Sequence, residues 1–104
     1  MKGIRKYACS RLYVKGEYSA QSVVGINGEG MVECYGPLSE ETPATEWIGG
    51  VIVLLDKDTL PGQVTTGNLL HYLLDAENPK YAWHIFPFDF EKGGLTPSSI
   101  IRRL

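Results

Sequence analysis

Two histidines, His71 and His84, are the only imidazoles in the 104-residue chain, so acid–base or metal chemistry would have to be built around them. His71 and Asp75 stand at i and i+4, with Asn68 and Asn78 extending the same stripe at helical spacing. Four polar groups on one helix face could hold a metal or orient an imidazole beside a carboxylate. Two ligands of that strength are too few for a tight site, and the plainer reading is the solvated back of an amphipathic helix. No metal or cofactor is therefore expected. His84 lies in Tyr81-Ala82-Trp83-His84-Ile85-Phe86-Pro87-Phe88-Asp89-Phe90, the most aromatic stretch of the chain. Alternation puts Tyr81, Trp83 and Ile85 on one side of a strand and His84, Phe86 and Phe88 on the other. An aromatic groove with one histidine suits a planar ligand or a sugar. The plainer reading is a strand buried on both faces, with His84 hydrogen-bonded in or beside the core. Tyr81, Trp83, His84, Phe86 and Phe88 are the candidate residues for contact with a ligand or partner. Pro87 restricts this strand to an edge or an end, where aromatic side chains often meet another protein.

No serine sits in a G-x-S-x-G frame, so none has a nucleophile's setting. Cys9 and Cys34 are 25 positions apart, without C-x-x-C spacing, and make no zinc site. Apolar flanks favour two reduced, buried thiols, although a disulfide would form if their strands were neighbours. Gly28-Glu29-Gly30 is followed by a strand rather than a helix, so it offers no helix N-terminus to a phosphate. No catalytic residue is assigned.

The elements that position these groups are mostly strands. Ile4 to Val14 alternates with period two, as one long strand or two with a kink near Ser10. Ile4, Ala8, Leu12 and Val14 fall on one face; Arg5, Tyr7, Cys9, Arg11 and Tyr13 fall on the other. Lys15-Gly16-Glu17 reads as a turn, Ala20 to Ile26 as a strand, and Asn27-Gly28-Glu29-Gly30 as a hairpin turn tolerant of positive φ. Met31 to Tyr35 returns as a strand closed by Gly36-Pro37. Ser39 to Thr45 is an acidic loop. Glu46 to Leu55 is a strand whose Gly49-Gly50 pair marks a bulge or a close backbone approach. Its Val51–Leu55 run is apolar enough for burial on both sides. One helix is expected, capped by Thr65 or Thr66, with Leu69, Leu70, Leu73, Leu74 and Ala76 on its apolar face and Asn78-Pro79 at its end. Tyr81 to Phe90 is the next strand, and a last segment begins at Thr96-Pro97.

Composition bounds the rest. A single domain spanning residues 1–104 buries about two-thirds of its surface, enough for a core without staples. With 43% hydrophobic and 21% charged residues the chain is an ordinary folded globule rather than a disordered one. A net charge of −2 leaves no strong electrostatic case for nucleic acid or an anionic membrane. The longest apolar run, Val51 to Leu55, is far short of a membrane span, and no signal-peptide pattern is visible, so a cytoplasmic address is expected.

The order of segments carries a resemblance. Arg5–Val14, the hairpin Val23 to Val32, the Tyr35-Gly36-Pro37-Leu38 step, the acidic Glu40-Glu41-Thr42-Pro43 and the glycine-bearing Ile48 to Val53 follow one another in a particular way. They resemble the N-terminal half of the small composite β-sandwich that flanks the barrel of metal-dependent amidohydrolases of the cytosine deaminase and chlorohydrolase type. Phe88 to Leu104, with Leu95-Thr96-Pro97-Ser98-Ser99 and Arg102-Arg103, is similar to the closing segment of some bacterial members. In that family the glycine-bearing strand leads to a His-x-His metal motif on a barrel strand. Here Val51–Leu55 leads to Asp56-Lys57-Asp58, and the residues between the two matching blocks are too few for a barrel, which needs about 200.

The resemblance thus implies the sandwich without the enzyme. The expected fold is mostly β with one helix (α+β), a small β-sandwich of about five to seven strands, with a half-open barrel plugged by the helix as the other arrangement. The expected function is non-catalytic, through self-association as a homo-oligomer or contact with a partner protein, using residues 81–90 or the face carrying Tyr7 and Tyr13. The alternative is a small-molecule or metal-binding protein built on His84 and Trp83; a small independent hydrolase is the third reading.

Overall fold

A computed structural model describes residues 4–14, 17–38, 45–56, 80–89 and 94–104. The described part is mostly β: β1 (Arg5–Val14), β2 (Glu17–Ile26), β3 (Val32–Pro37), β4 (Thr45–Trp47), β5 (Val51–Leu55), β6 (Tyr81–Asp89) and β7 (Gly94–Arg103). They join in one mixed sheet of order β3-β2-β1-β5-β6-β7, with β4 also pairing β1. The expected helix, with His71, Asp75, Asn68 and Asn78, lies outside the described residues.

β4 and β5 both run parallel to β1, against Lys6–Ala8 and Arg11–Val14 respectively, so they are one strand course interrupted by the glycine pair. Gly49 and Gly50 both have positive φ, +66° and +62°. At that break the Gly50 carbonyl accepts from both Ser10 N (3.0 Å) and Arg11 N (3.3 Å). Two consecutive donors on one acceptor form a bulge that turns β1 over. Opposite it, between the Cys9–Ser22 and Arg11–Ala20 pairs, Gln21 of β2 has φ +38°. The consequence corrects the simple alternation. Tyr7 and Cys9, before the break, join Leu12 and Val14, after it, against one core cluster, whereas Tyr13 packs against the other. Tyr7 and Tyr13 therefore do not share a face.

The first cluster (Cys9, Leu12, Val24, Ile26, Ile52, Leu54 and Ala82) fills the side toward which the sheet curls. That curl brings the start of β3 back to β6, where Val32 N donates to the Lys80 carbonyl at 2.6 Å. The second cluster (Val51, Val53, Leu55, Trp83 and Ile85) lies on the other face of β5 and β6. All five residues of β5 are buried, as the uninterrupted apolar run implies.

The β2–β3 hairpin turn falls where Asn27-Gly28 marks it, but the positive φ belongs to Gly30, at +81°. Asn27 Oδ1 accepts from Glu29 N and Met31 N, and the Asn27 carbonyl from Gly30 N, so the asparagine organises the turn through its side chain. β6 continues through Pro87 to Asp89. The β6–β7 register breaks there instead, from Phe86 opposite Ile100 to Phe88 opposite Leu95. Both cysteines are free; Cys9 is buried and Cys34 is exposed, which corrects the expectation that both are buried.

Candidate functional site

β5, β6 and β7 lie side by side, and their register sets which side chains can meet. Ile52 faces His84, His84 faces Arg102, and Phe86 faces Ile100. Residues directly opposite one another project to the same side of a sheet, so His84, Phe86, Ile100 and Arg102 continue the face of the first cluster beyond Ile52. They line an open groove of about 200 Å³. The His84 and Phe86 rings are near parallel (14°), with centroids 6.2 Å apart.

His84 is 6% exposed, and its Nε2 lies 3.1 Å from the Gly49 carbonyl oxygen. That bond makes Nε2–H the donor, and so specifies the neutral tautomer with its proton there. Burial pushes the imidazole below its ordinary value of 6.5. The Gly49 carbonyl opposes this, the nearby Arg102 charge adds to the lowering, and a weaker bond to the Ile48 carbonyl opposes it again. A neutral ring committed to backbone carbonyls through its N–H clamps the glycine break to β6. This is the hydrogen-bonded histidine of the plainer sequence reading.

The glycines permit that closeness. A Cβ at Gly50 would lie 2.5 Å from the Ile85 carbonyl oxygen and 3.3 Å from His84 Nε2. At Gly49 it would meet Trp47 Nε1 at 3.7 Å and Phe86 Cε2 at 3.9 Å, so these two rings converge on the same glycine. Trp47 is 55% exposed, Phe86 54% and Ile100 67%. Phe86 and Ile100, with the exposed Arg102, give the groove an apolar wall and a cationic rim, and Trp47 approaches Phe86 over Gly49.

The structure divides the sequence candidates. His84 and Phe86 are together, as alternation requires. Trp83 and Tyr81 belong to the opposite face, with the second cluster, so Trp83 and His84 share no site. Phe88 lies in β6 by its backbone, and its side chain is outside the described residues, as are His71 and Asp75. Trp47 and Ile100 were not singled out in the sequence, and Arg102 was noted there only as part of the dibasic end. The signal for Trp47 was its place next to the glycine pair; for Ile100 it was the Ile100-Ile101 doublet, which in a strand must send one side chain to each face.

Among the described residues no group of three His, Cys, Asp or Glu side chains could hold a metal ion, and no helix is long and apolar enough to cross a membrane. No protein-family model, curated protein or solved structure matches the chain.

Proposed function

We propose that this chain is a non-catalytic β module that works by contact, associating with a second copy of itself through the surface formed by Trp47, Phe86 and Ile100. The observation that carries this is the approach of Trp47 and Phe86 to one glycine, with Ile100 opposite Phe86 across β6–β7, all three large, apolar and more than half exposed. Isolated exposed apolar residues are ordinary, but a contiguous group is a place where another surface fits. A two-fold pairing would lay each patch against its own copy, burying the apolar centre while Arg102 stays at the rim.

The finer reading of the fold, a composite sandwich like that of the amidohydrolases, is part of the same proposal. It is supported by the order of segments, by the placement of the glycine pair at the structural break, and by the inclusion of the first and last strands in one sheet. In those enzymes the sandwich packs on a barrel, which makes a partner protein the other occupant of this surface. Light scattering on the wild type and on a Phe86→Ser/Ile100→Ser variant tests the proposal. A dimer lost in the variant supports it, and a wild-type monomer contradicts it. The second reading, a small-molecule site, is favoured by the groove of about 200 Å³ beside His84. It predicts a thermal shift with a planar ligand that Phe86→Ser abolishes.

A further inference from the structure

A second concavity, of about 280 Å³, opens where β2 runs on past β3. β3 ends at Pro37, opposite Ser22, so the first residues of β2 are paired with β1 alone. Leu12 faces Ser19 and Val14 faces Glu17 across β1–β2, which puts these four side chains on one face. Tyr35 faces Val24, a member of the same core cluster as Leu12, and so joins that face from β3. The floor is therefore apolar, from Leu12 and Val14, and the walls carry a carboxylate, an aliphatic hydroxyl and a tyrosine. The Tyr35 ring is 52% exposed. Among the described residues no side-chain hydrogen bond or ion pair engages Glu17, Ser19 or Tyr35. Tyr18 also borders the concavity, but its ring is turned to Tyr13 (centroids 5.5 Å apart) and to the Arg11 guanidinium 4.8 Å away.

This donor set selects a ligand class. An apolar floor with an open aromatic face takes a ring that has a C–H face. Glu17, Ser19 and the Tyr35 hydroxyl take several hydroxyl groups on the edge of that ring. Glu17 disfavours an anion, and a small cation, engaging only the carboxylate and the ring face, would leave Ser19 and the Tyr35 hydroxyl unused. The volume is just below the usual range of about 300–1,000 Å³ for drug-sized ligands, which leaves room for one ring. We propose that this concavity binds a single neutral sugar ring, stacked on Tyr35 and hydrogen-bonded to Glu17 and Ser19. The site is separate from the Trp47–Phe86–Ile100 surface and stands or falls without it.

The test is a titration of isotope-labelled full-length protein, followed by amide NMR shifts, with glucose, galactose, mannose and N-acetylglucosamine in turn. Choline and benzoate serve as charged comparators. The expected result is saturable shifts at residues 12–19 and 35 with at least one sugar. Glu17→Gln and Tyr35→Ala should each weaken binding about tenfold or more while leaving the rest of the spectrum in place. The proposal is overturned if no sugar shifts these residues, if the shifts survive both substitutions, or if choline or benzoate binds there more tightly than every sugar.

Discussion

Replacing Gly50 by alanine should unfold the junction on which the candidate surface is built, and the structure gives the size of the effect. Gly50 has φ +62°, a left-handed conformation that costs a residue with a Cβ about 1–2 kcal/mol. The new methyl would also lie 2.5 Å from the Ile85 carbonyl oxygen and 3.1 Å from Phe86 Cδ2. A backbone oxygen in β6 can yield only by moving the strand, and such overpacking costs about 1–3 kcal/mol more. The expected destabilisation is about 2–5 kcal/mol, a large share of the roughly 5–15 kcal/mol that holds a domain folded. Gly49 supplies the control. Its φ is +66°, but its Cβ would meet neighbours at ordinary contact distance, so Gly49→Ala should lose only the backbone part, about 1–2 kcal/mol. Urea unfolding of the wild type and both variants, compared at a common m-value, reads the difference. If Gly50→Ala is destabilised no more than Gly49→Ala, the close approach of β6 to the glycine break is not a packing constraint and the reasoning fails.

Two further predictions follow from buried titratable groups. His84 is held neutral, so between its lowered folded value and 6.5 the unfolded chain binds a proton that the folded chain does not. Its contribution to stability is complete above pH 6.5 and is lost as the pH falls below it, with a slope of up to about 1.4 kcal/mol per pH unit. Thermal melts between pH 7.5 and 5.5 should show that loss, and His84→Gln, which still donates to Gly49, should flatten it; an unchanged slope in the variant would assign the effect elsewhere. Cys9 is pushed up from 9.0 to about 11 by burial, against weaker lowering from hydrogen bonds with the backbone of Ile52, Ser22 and Arg11. Its thiol therefore stabilises the fold below pH 9, and that stabilisation is lost as the pH rises from 9 toward 11. Iodoacetamide on native protein at pH 8 should accordingly modify Cys34 and spare Cys9, with peptide mapping as the readout; equal labelling would contradict the burial of Cys9.

Much of the described fold was legible from alternation and turn chemistry. The five apolar residues from Val51 to Leu55 read as a strand buried on both faces, as β5 is, and Asn27 marked its hairpin correctly. The glycine pair was legible as a break. What escaped was the effect of that break on its neighbour: a single carbonyl taking two amides from β1 turns that strand over, so Tyr7 and Tyr13 part company although their spacing places them together. Such a change is set by long-range pairing, and no local pattern encodes it. Half of the candidate surface was legible for the same reason. Period two within β6 united His84 with Phe86, but Trp47 meets Phe86 only at the close approach over Gly49, and Ile100 only through the β6–β7 register. The ends of strands were also underread: β2 begins at Glu17, where Gly16-Glu17 suggested a turn, and this early start creates the second concavity.

The central claim is that Trp47, Phe86 and Ile100 form a contact surface, and size-exclusion chromatography with light scattering on metal-free protein, repeated after adding zinc, tests it most directly. The account predicts a dimer in both conditions that becomes a monomer when Phe86 and Ile100 are changed to serine. A wild-type protein that stays monomeric at millimolar concentration, or a dimer indifferent to both substitutions, would contradict it.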